Sequence, residues 1–229
     1  MNSAIIVAAG SGTRFGSKTP KQFLEISGKP LITHTLERFE ACAAIDEIIL
    51  VLATGEIANF QKIIEKYNLG KLAQIISGGE TRSESVLNGL NAIDSQNAEI
   101  VAVHDGARPL VSVKEISQTV QKAKETGAAC LVAAITDTVK SVAGGKITGT
   151  IDRATLRRAL TPQCFRYEIL KRAFAENELG EIVTDECFLV EKSGYEISAV
   201  EGSAQNIKIT RQEDFIFAEN LLKQFKVEN

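Results

Sequence analysis

Short apolar runs recur along the chain, each closed by a polar or glycine-rich stretch and followed by residues at helical spacing. The first, Ala4–Ala8, reads AIIVA without alternation, the pattern of a strand covered on both faces. Asp46–Leu52, Leu72–Ile76, Ile100–Val103 and Cys130–Ile135 are of the same kind. Between them the spacing predicts helices over Leu31–Phe39, with Pro30 suited to a first turn, and over Ile57–Tyr67. Two more helices open on capping boxes, Thr81–Arg82–Ser83–Glu84 and Ser112–Val113–Lys114–Glu115, the second stopping near Gly127.

This alternation predicts an α/β fold with a Rossmann-like, mostly parallel central sheet flanked by helices. No repeat or linker divides the chain, so residues 1–229 read as one domain. Thr136–Ile151 departs from the pattern: rich in Thr, Val, Ile and Gly, without helical period, and centred on Gly144–Gly145, it predicts a protruding β-hairpin within an arm over 136–153. Two strands alone are not stable in water, so the hairpin packs either on its own sheet or on a sister subunit. Beyond it, helices are expected at Tyr167–Phe174 and after Thr184, read as an N-cap with Asp185 and Glu186 in the first turn. Ile197–Val200 and Asn206–Ile209 are candidate strands. Thr210–Arg211–Gln212–Glu213 is expected to cap a last helix with Phe215, Ala218, Leu222 and Phe225 on one face.

Composition narrows the classes. A net charge of −3 argues against a nucleic-acid binder, which needs a basic face. No apolar run approaches the roughly 18–20 residues that cross a bilayer, and the amino terminus lacks the charged and apolar regions of a secretory signal. Cys42, Cys130, Cys164 and Cys187 are widely spaced, which suits free thiols in a reducing cytoplasm rather than zinc or disulfides. With only His34 and His104 present, imidazole chemistry is a weak prospect.

Against that acidic average, clustered cations are informative. Val7–Gln22 carries Gly10, Gly12 and Gly16 interleaved with Arg14, Lys18 and Lys21, directly after the first strand. Glycines let a backbone approach a ligand, and long cations suit phosphate oxygens, so the segment reads as a triphosphate-binding loop; an ordinary connector is the alternative. It is neither a Walker loop nor the dinucleotide fingerprint, whose glycines are one residue closer, and this weakens an oxidoreductase reading. In VHDGARP, Val103–Pro109, Asp105 ends a strand and could hold Mg²⁺, while Arg108 could take a phosphate; a turn-capping Asp and a solvated Arg are the plainer alternative. Gly78–Gly79–Glu80 and Ser85 could offer backbone and hydroxyl contacts to a base edge, although such turns before capped helices are common.

The pattern AAG-x-G-x-R-x-G-x-x-x-PKQ resembles the signature of the nucleotidyltransferases that activate sugars and polyols. With VHDGARP, the arm exit TIDRATLRRALTPQ and Asn206–Thr210 (NIKIT), the chain is most similar, over nearly its whole length, to the 2-C-methyl-D-erythritol 4-phosphate cytidylyltransferases of non-mevalonate isoprenoid biosynthesis. The resemblance implies transfer of CMP from CTP to that polyol phosphate, with release of pyrophosphate and dependence on Mg²⁺. It implies catalytic roles for Arg14, Lys21 and Lys208, and nucleotide contacts from Ala8, Ala9, Gly10, Gly12, Gly79, Glu80, Ser85, Asp105 and Gly106. Asp105 would also hold the metal. Arg108, Thr138, Arg153, Thr161 and Thr184 would serve the acceptor, with Arg153 acting across a homodimer formed through the β-arm. A ribitol 5-phosphate cytidylyltransferase and a non-catalytic nucleotide-binding regulator are the competing expectations.

Overall fold

A computed structural model describes residues 1–10, 15–16, 19–177 and 183–227, with side chains described as far as 223. The strands are β1 (Asn2–Ala8), β2 (Glu25–Ile26), β3 (Lys29–Pro30), β4 (Glu47–Leu52), β5 (Leu72–Ser77), β6 (Ile100–Asp105), β7 (Ala128–Ala134), β8 (Val139–Ala143), β9 (Lys146–Ile151), β10 (Arg157–Arg166) and β11 (Ser198–Glu201). The helices are α1 (Leu31–Glu40), α2 (Ile57–Ile64), α3 (Arg82–Asn91), α4 (Val113–Thr126), α5 (Tyr167–Glu176), α6 (Glu186–Lys192) and α7 (Gln212–Val227). Seven strands form the central sheet in the order β11-β7-β10-β6-β1-β4-β5. Every neighbouring pair is parallel except the two that β10 makes with β6 and β7.

The unbroken apolar runs are explained by cover on both faces. Ala4 and Ile6 of β1 pack in one cluster with Ile32 and Phe39 of α1, Phe60 of α2 and Ile116 of α4. Ile5, pointing the other way, joins Val86 of α3, Leu170 of α5 and Leu189 of α6. A third cluster sits over one end of the sheet, where Ala218 and Leu222 of α7 meet Phe15, Leu31, Leu110 and Ile209. The chain runs outward from β1 to β4 and β5, then returns to β6 on the other side of β1. That reversal opens a crevice beyond the carboxyl ends of β1 and β6, the usual ligand position in such sheets.

Both predicted capping boxes form, at Thr81/Glu84 and Ser112/Glu115. Other expectations shift. The helix after 184 is capped by Asp185, whose side chain accepts from the Phe188 N–H, rather than by Thr184. At α7 the Asp214 carboxylate takes the Thr210 and Arg211 N–H groups, in place of a Thr210 cap. Phe215, Ala218 and Leu222 do share a packed face, while the side chain of Phe225 lies outside the described residues. Asn206–Ile209 is not a strand but a loop tied to the sheet end through Ile209 N–H and Ala107 O. Strand β10 was hidden by its charges and by Pro162. That proline sits where the ladder to β7 is irregular, between Ala159 and Gln163, so it interrupts no regular bond.

The hairpin over 136–151 is present as a separate two-stranded sheet, β8 with β9. Gly144 and Gly145 both lie in the left-handed region, at φ +54° and +75°, as a two-residue hairpin turn demands. All six residues of β9 are exposed, and Val142 and Ile147 are 63% and 69% accessible. All four cysteines are free and buried. No described helix is long and apolar enough to cross a membrane.

Candidate active site

A cleft of about 280 Å³ opens at the carboxyl ends of β1 and β6. It is lined by Ala8, Ala9 and Gly10 from the end of β1, Lys21 and Gln22 from a short turn, Gly79 to Arg82 and Ser85 from the start of α3, Asp105 and Ala107, and Lys208 and Thr210. Register places Asp105 opposite Val7, and the Gly106 N–H bonds Val7 O at 2.9 Å, so the ends of the two strands form one continuous floor.

Asp105 is the centre of that floor. Its Oδ1 lies 3.1 Å from Arg82 Nε, and its Oδ2 lies 3.0 Å from Lys208 Nζ and 3.3 Å from Arg108 Nε. Burial pushes the carboxyl pKa up, but Arg82, Lys208 and Arg108 together outweigh it and hold the group well below the usual carboxylate range. Asp105 is therefore an anion at neutral pH, gripped by three cations. Behind Arg82 stands Glu186, fully buried, with Oε1 2.6 Å from Arg82 Nη1. Burial alone would lower the Arg82 pKa; Glu186 and Asp105 reverse that and raise it. Burial pushes the Glu186 carboxyl up, and Arg82 opposes this.

The floor is braced from beneath. Thr161 Oγ1 accepts the Asp105 N–H at 3.2 Å and stands 3.0 Å from His104 Nδ1. His104 Nε2 lies 3.3 Å from Arg108 O. A neutral ring protonated at Nε2 satisfies both contacts, donating to Arg108 O and accepting from Thr161. Burial lowers the His104 pKa to about 3, so this is the form present at neutral pH.

On the α3 side, Gly78 lets the turn lie against β1: a Cβ there would stand 2.4 Å from Ala9 Cβ and 2.7 Å from Ser85 Oγ. Ser85 Oγ accepts from the Gly79 N–H at 3.1 Å and donates to Thr81 O at 2.9 Å, which locks the turn. On the other side, Lys21 Nζ donates to Ile209 O at 2.6 Å, and Gln22 Nε2 to Ala8 O at 3.0 Å. The loop carrying Lys208 is pinned by Asn206 Nδ2 to Thr161 O, and by Ser203 N to the Glu115 carboxylate.

Nine residues singled out from the sequence thus line one cleft: Ala8, Ala9, Gly10, Lys21, Gly79, Glu80, Ser85, Asp105 and Lys208. Gly106, Arg108 and Thr161 stand directly behind them, Thr161 buried and Arg108 bonded to Asn206 O at 2.8 Å. Thr138, Arg153 and Thr184 are exposed and are not among the cleft residues of the single chain. Arg153 donates to Thr136 O at the base of its own hairpin. Gly12 and Arg14 lie outside the described residues. Arg82, Glu186 and Gln22 carry no site role on the sequence alone. The available signal for Arg82 was a cation at the first helical position after a glycine turn.

A family model described as 2-C-methyl-D-erythritol 4-phosphate cytidylyltransferase matches residues 2–224. The chain is similar to the protein of that name from Clostridium acetobutylicum, 42% identical over 232 residues that cover 100% of each. It is also 43% identical over 226 residues to a bifunctional enzyme IspD/IspF of Desulfotalea psychrophila; the match takes in 98% of this chain and spans 58% of that relative's length. Among solved structures, the crystal structure of 4-diphosphocytidyl-2C-methyl-D-erythritol synthase from Anaerococcus prevotii matches with a TM-score of 0.85 at 32% identity, covering 97% of this chain and 96% of that one.

Proposed function

The chain belongs to the 2-C-methyl-D-erythritol 4-phosphate cytidylyltransferase family, and on that footing we propose how its cleft carries out cytidylyl transfer. The enzyme moves CMP from CTP to 2-C-methyl-D-erythritol 4-phosphate and releases pyrophosphate, a step of isoprenoid precursor biosynthesis. The observation that carries the mechanism is Asp105 with its ring of cations, set at the point where the strand order reverses.

An oxygen of the acceptor phosphate attacks the α-phosphorus, and the bond from that phosphorus to the bridging oxygen of the pyrophosphate breaks. A phosphate monoester has a second pKa of about 6, so the attacking oxygen is already ionised and needs no base. The histidines fit this: His104 lies neutral behind the floor, and His34 Nε2 is bonded to Ile26 O, away from the cleft. What the step requires is neutralised charge and in-line positioning. Lys21 and Lys208 at the cleft, with Arg14 from the phosphate loop, meet the triphosphate and the charge developing on the leaving group. The small residues Ala8 to Gly10 leave room for the nucleotide beside β1, and the turn at Gly79–Glu80, locked by Ser85, meets the cytosine edge.

The donor set fits a magnesium ion. Mg²⁺ is held by one or two carboxylates together with substrate phosphates, and Asp105 supplies one ionised carboxylate at the cleft. No cluster of three or more His, Cys, Asp or Glu able to hold a metal occurs among the described residues, as expected if the triphosphate completes the shell. When bound, the ion would offset triphosphate charge.

The exposed hairpin pairs this chain with a second copy, bringing Arg153 of the partner subunit, and with it Thr138, to the acceptor. Arg108, from behind the floor, and Thr184, at the surface, serve the acceptor end. The enzyme works in the cytoplasm. Pyrophosphate release measured with CTP and Mg²⁺ tests the reading. Turnover with 2-C-methyl-D-erythritol 4-phosphate is expected; turnover confined to ribitol 5-phosphate, or none with either acceptor, overturns it.

A further inference from the structure

We infer that Glu186 is a positioning residue for the transfer: acting through Arg82, it fixes the carboxylate of Asp105 and leaves Lys208 as the cation that exchanges Asp105 for phosphate. The inference rests on reading the cleft as the cytidylyl-transfer site. Three cations touch Asp105, and they are not held alike. Arg82 is gripped by a second carboxylate, Glu186, at 2.6 Å. Arg108 is held by Asn206 O at 2.8 Å. Lys208 Nζ, among the described residues, has Asp105 as its recorded partner at 3.0 Å, and its side chain is the most exposed of the three, at 36% against 26% for Arg82 and 11% for Arg108. When an anion enters, the cation with the fewest ties and the most solvent leaves first. Arg82 stays, and Asp105 keeps its orientation.

Glu186 itself is otherwise hard to explain. It opens α6, where a carboxylate complements the helix dipole equally well from the surface, yet it turns inward and is fully buried. Among the described residues its Oε2 has no hydrogen-bond partner, and burying a charge in that state is unfavourable where an apolar side chain would pack freely. Its recorded side-chain contact is the Arg82 guanidinium, which lines the cleft.

The test is a double-mutant cycle on the full chain, with steady-state pyrophosphate release and thermal unfolding recorded for each variant. Glu186→Ala is expected to lower kcat by about 10–100-fold, the usual loss when a supporting partner is removed. KM for CTP should stay within about threefold, because ground-state binding is spread over the cleft. Glu186→Gln, which keeps an oxygen for Arg82, should restore most of the rate. If Glu186 works through Arg82, the Arg82→Ala/Glu186→Ala double variant is no slower than Arg82→Ala alone. Multiplying losses, a Glu186→Gln variant as slow as Glu186→Ala, or a rise confined to KM would each overturn the inference. Should Glu186→Ala not fold, the cycle runs with Glu186→Met, which fills the buried space but offers Arg82 no oxygen, and Arg82→Lys: a lysine cannot span both carboxylates, so adding the Met should cost nothing further, and a multiplied loss contradicts the inference. Absence of turnover in the unaltered chain would instead remove the reading of the cleft itself.

Discussion

At the floor of the cleft, a buried carboxylate is held by three cations, two of which are held in turn by Glu186 and by Asn206 O. At the hairpin β8–β9, six consecutive residues of one strand are exposed, and two large aliphatic side chains, Val142 and Ile147, are largely so. The contacts of the first region lie within a single chain; the second is an extended surface without a core. An isolated hairpin is marginal in water, and under the proposed pairing a second chain would supply the surface that steadies it. On the proposed reading, the nucleotide end is built within each chain and the acceptor end would draw on a second chain.

The largest expected effect lies in the self-contained region. Lys21→Ala or Lys208→Ala should each lower kcat by about 10²–10³, as loss of one group stabilising transition-state charge does. Steady-state pyrophosphate release checks this, and an unaltered rate would remove that residue from the mechanism. Next comes the division between chains. Asp105→Ala and Arg153→Ala subunits, each impaired alone, should regain activity when refolded together. Random pairing makes half the dimers mixed, each with one intact site, so recovery should reach about a quarter of the normal rate. No recovery would return Arg153 to its own chain.

Two smaller effects probe stability. In the unfolded chain His104 takes up its proton near pH 6.5, but in the folded chain only near 3. Its contribution is therefore fully present above pH 6.5 and is lost as the pH falls through that window, at about 1.4 kcal/mol per pH unit. Denaturant unfolding between pH 7 and 4.5 should show this slope, and a His104→Asn variant should flatten it. Gly145→Ala places a side chain at φ +75° and should cost about 1 kcal/mol in the arm. Calorimetry should then show CTP affinity unchanged; a fall in affinity would couple the two regions that the account keeps apart.

Much of this was legible in the sequence, for identifiable reasons. Strands buried on both faces announce themselves as unbroken apolar runs, so β1, β4, β6 and β7 were plain. The chemistry at their ends, Asp105 and Lys21 among it, followed from position. Strand β10 was hidden because its proline and arginines contradict the pattern of a central strand. Arg82 and Glu186 were overlooked for another reason: each had a sufficient local explanation, one inside a capping box and the other in the first turn of a helix. Their pairing spans 104 positions, and no local pattern reports it. Ser85 shows the reverse, since a hydroxyl expected to read a base also closes the turn beneath it.

The central claim is that the triphosphate of CTP is received at this cleft by Lys21 and Lys208. A crystal structure of the chain with CTP and Mg²⁺ tests it most directly. The account predicts the cytosine against Gly79–Ser85, both ammonium groups within hydrogen-bond reach of phosphate oxygens, and Lys208 moved off Asp105. A nucleotide bound elsewhere, with Lys208 still paired to Asp105 and Lys21 still on Ile209 O, would contradict it.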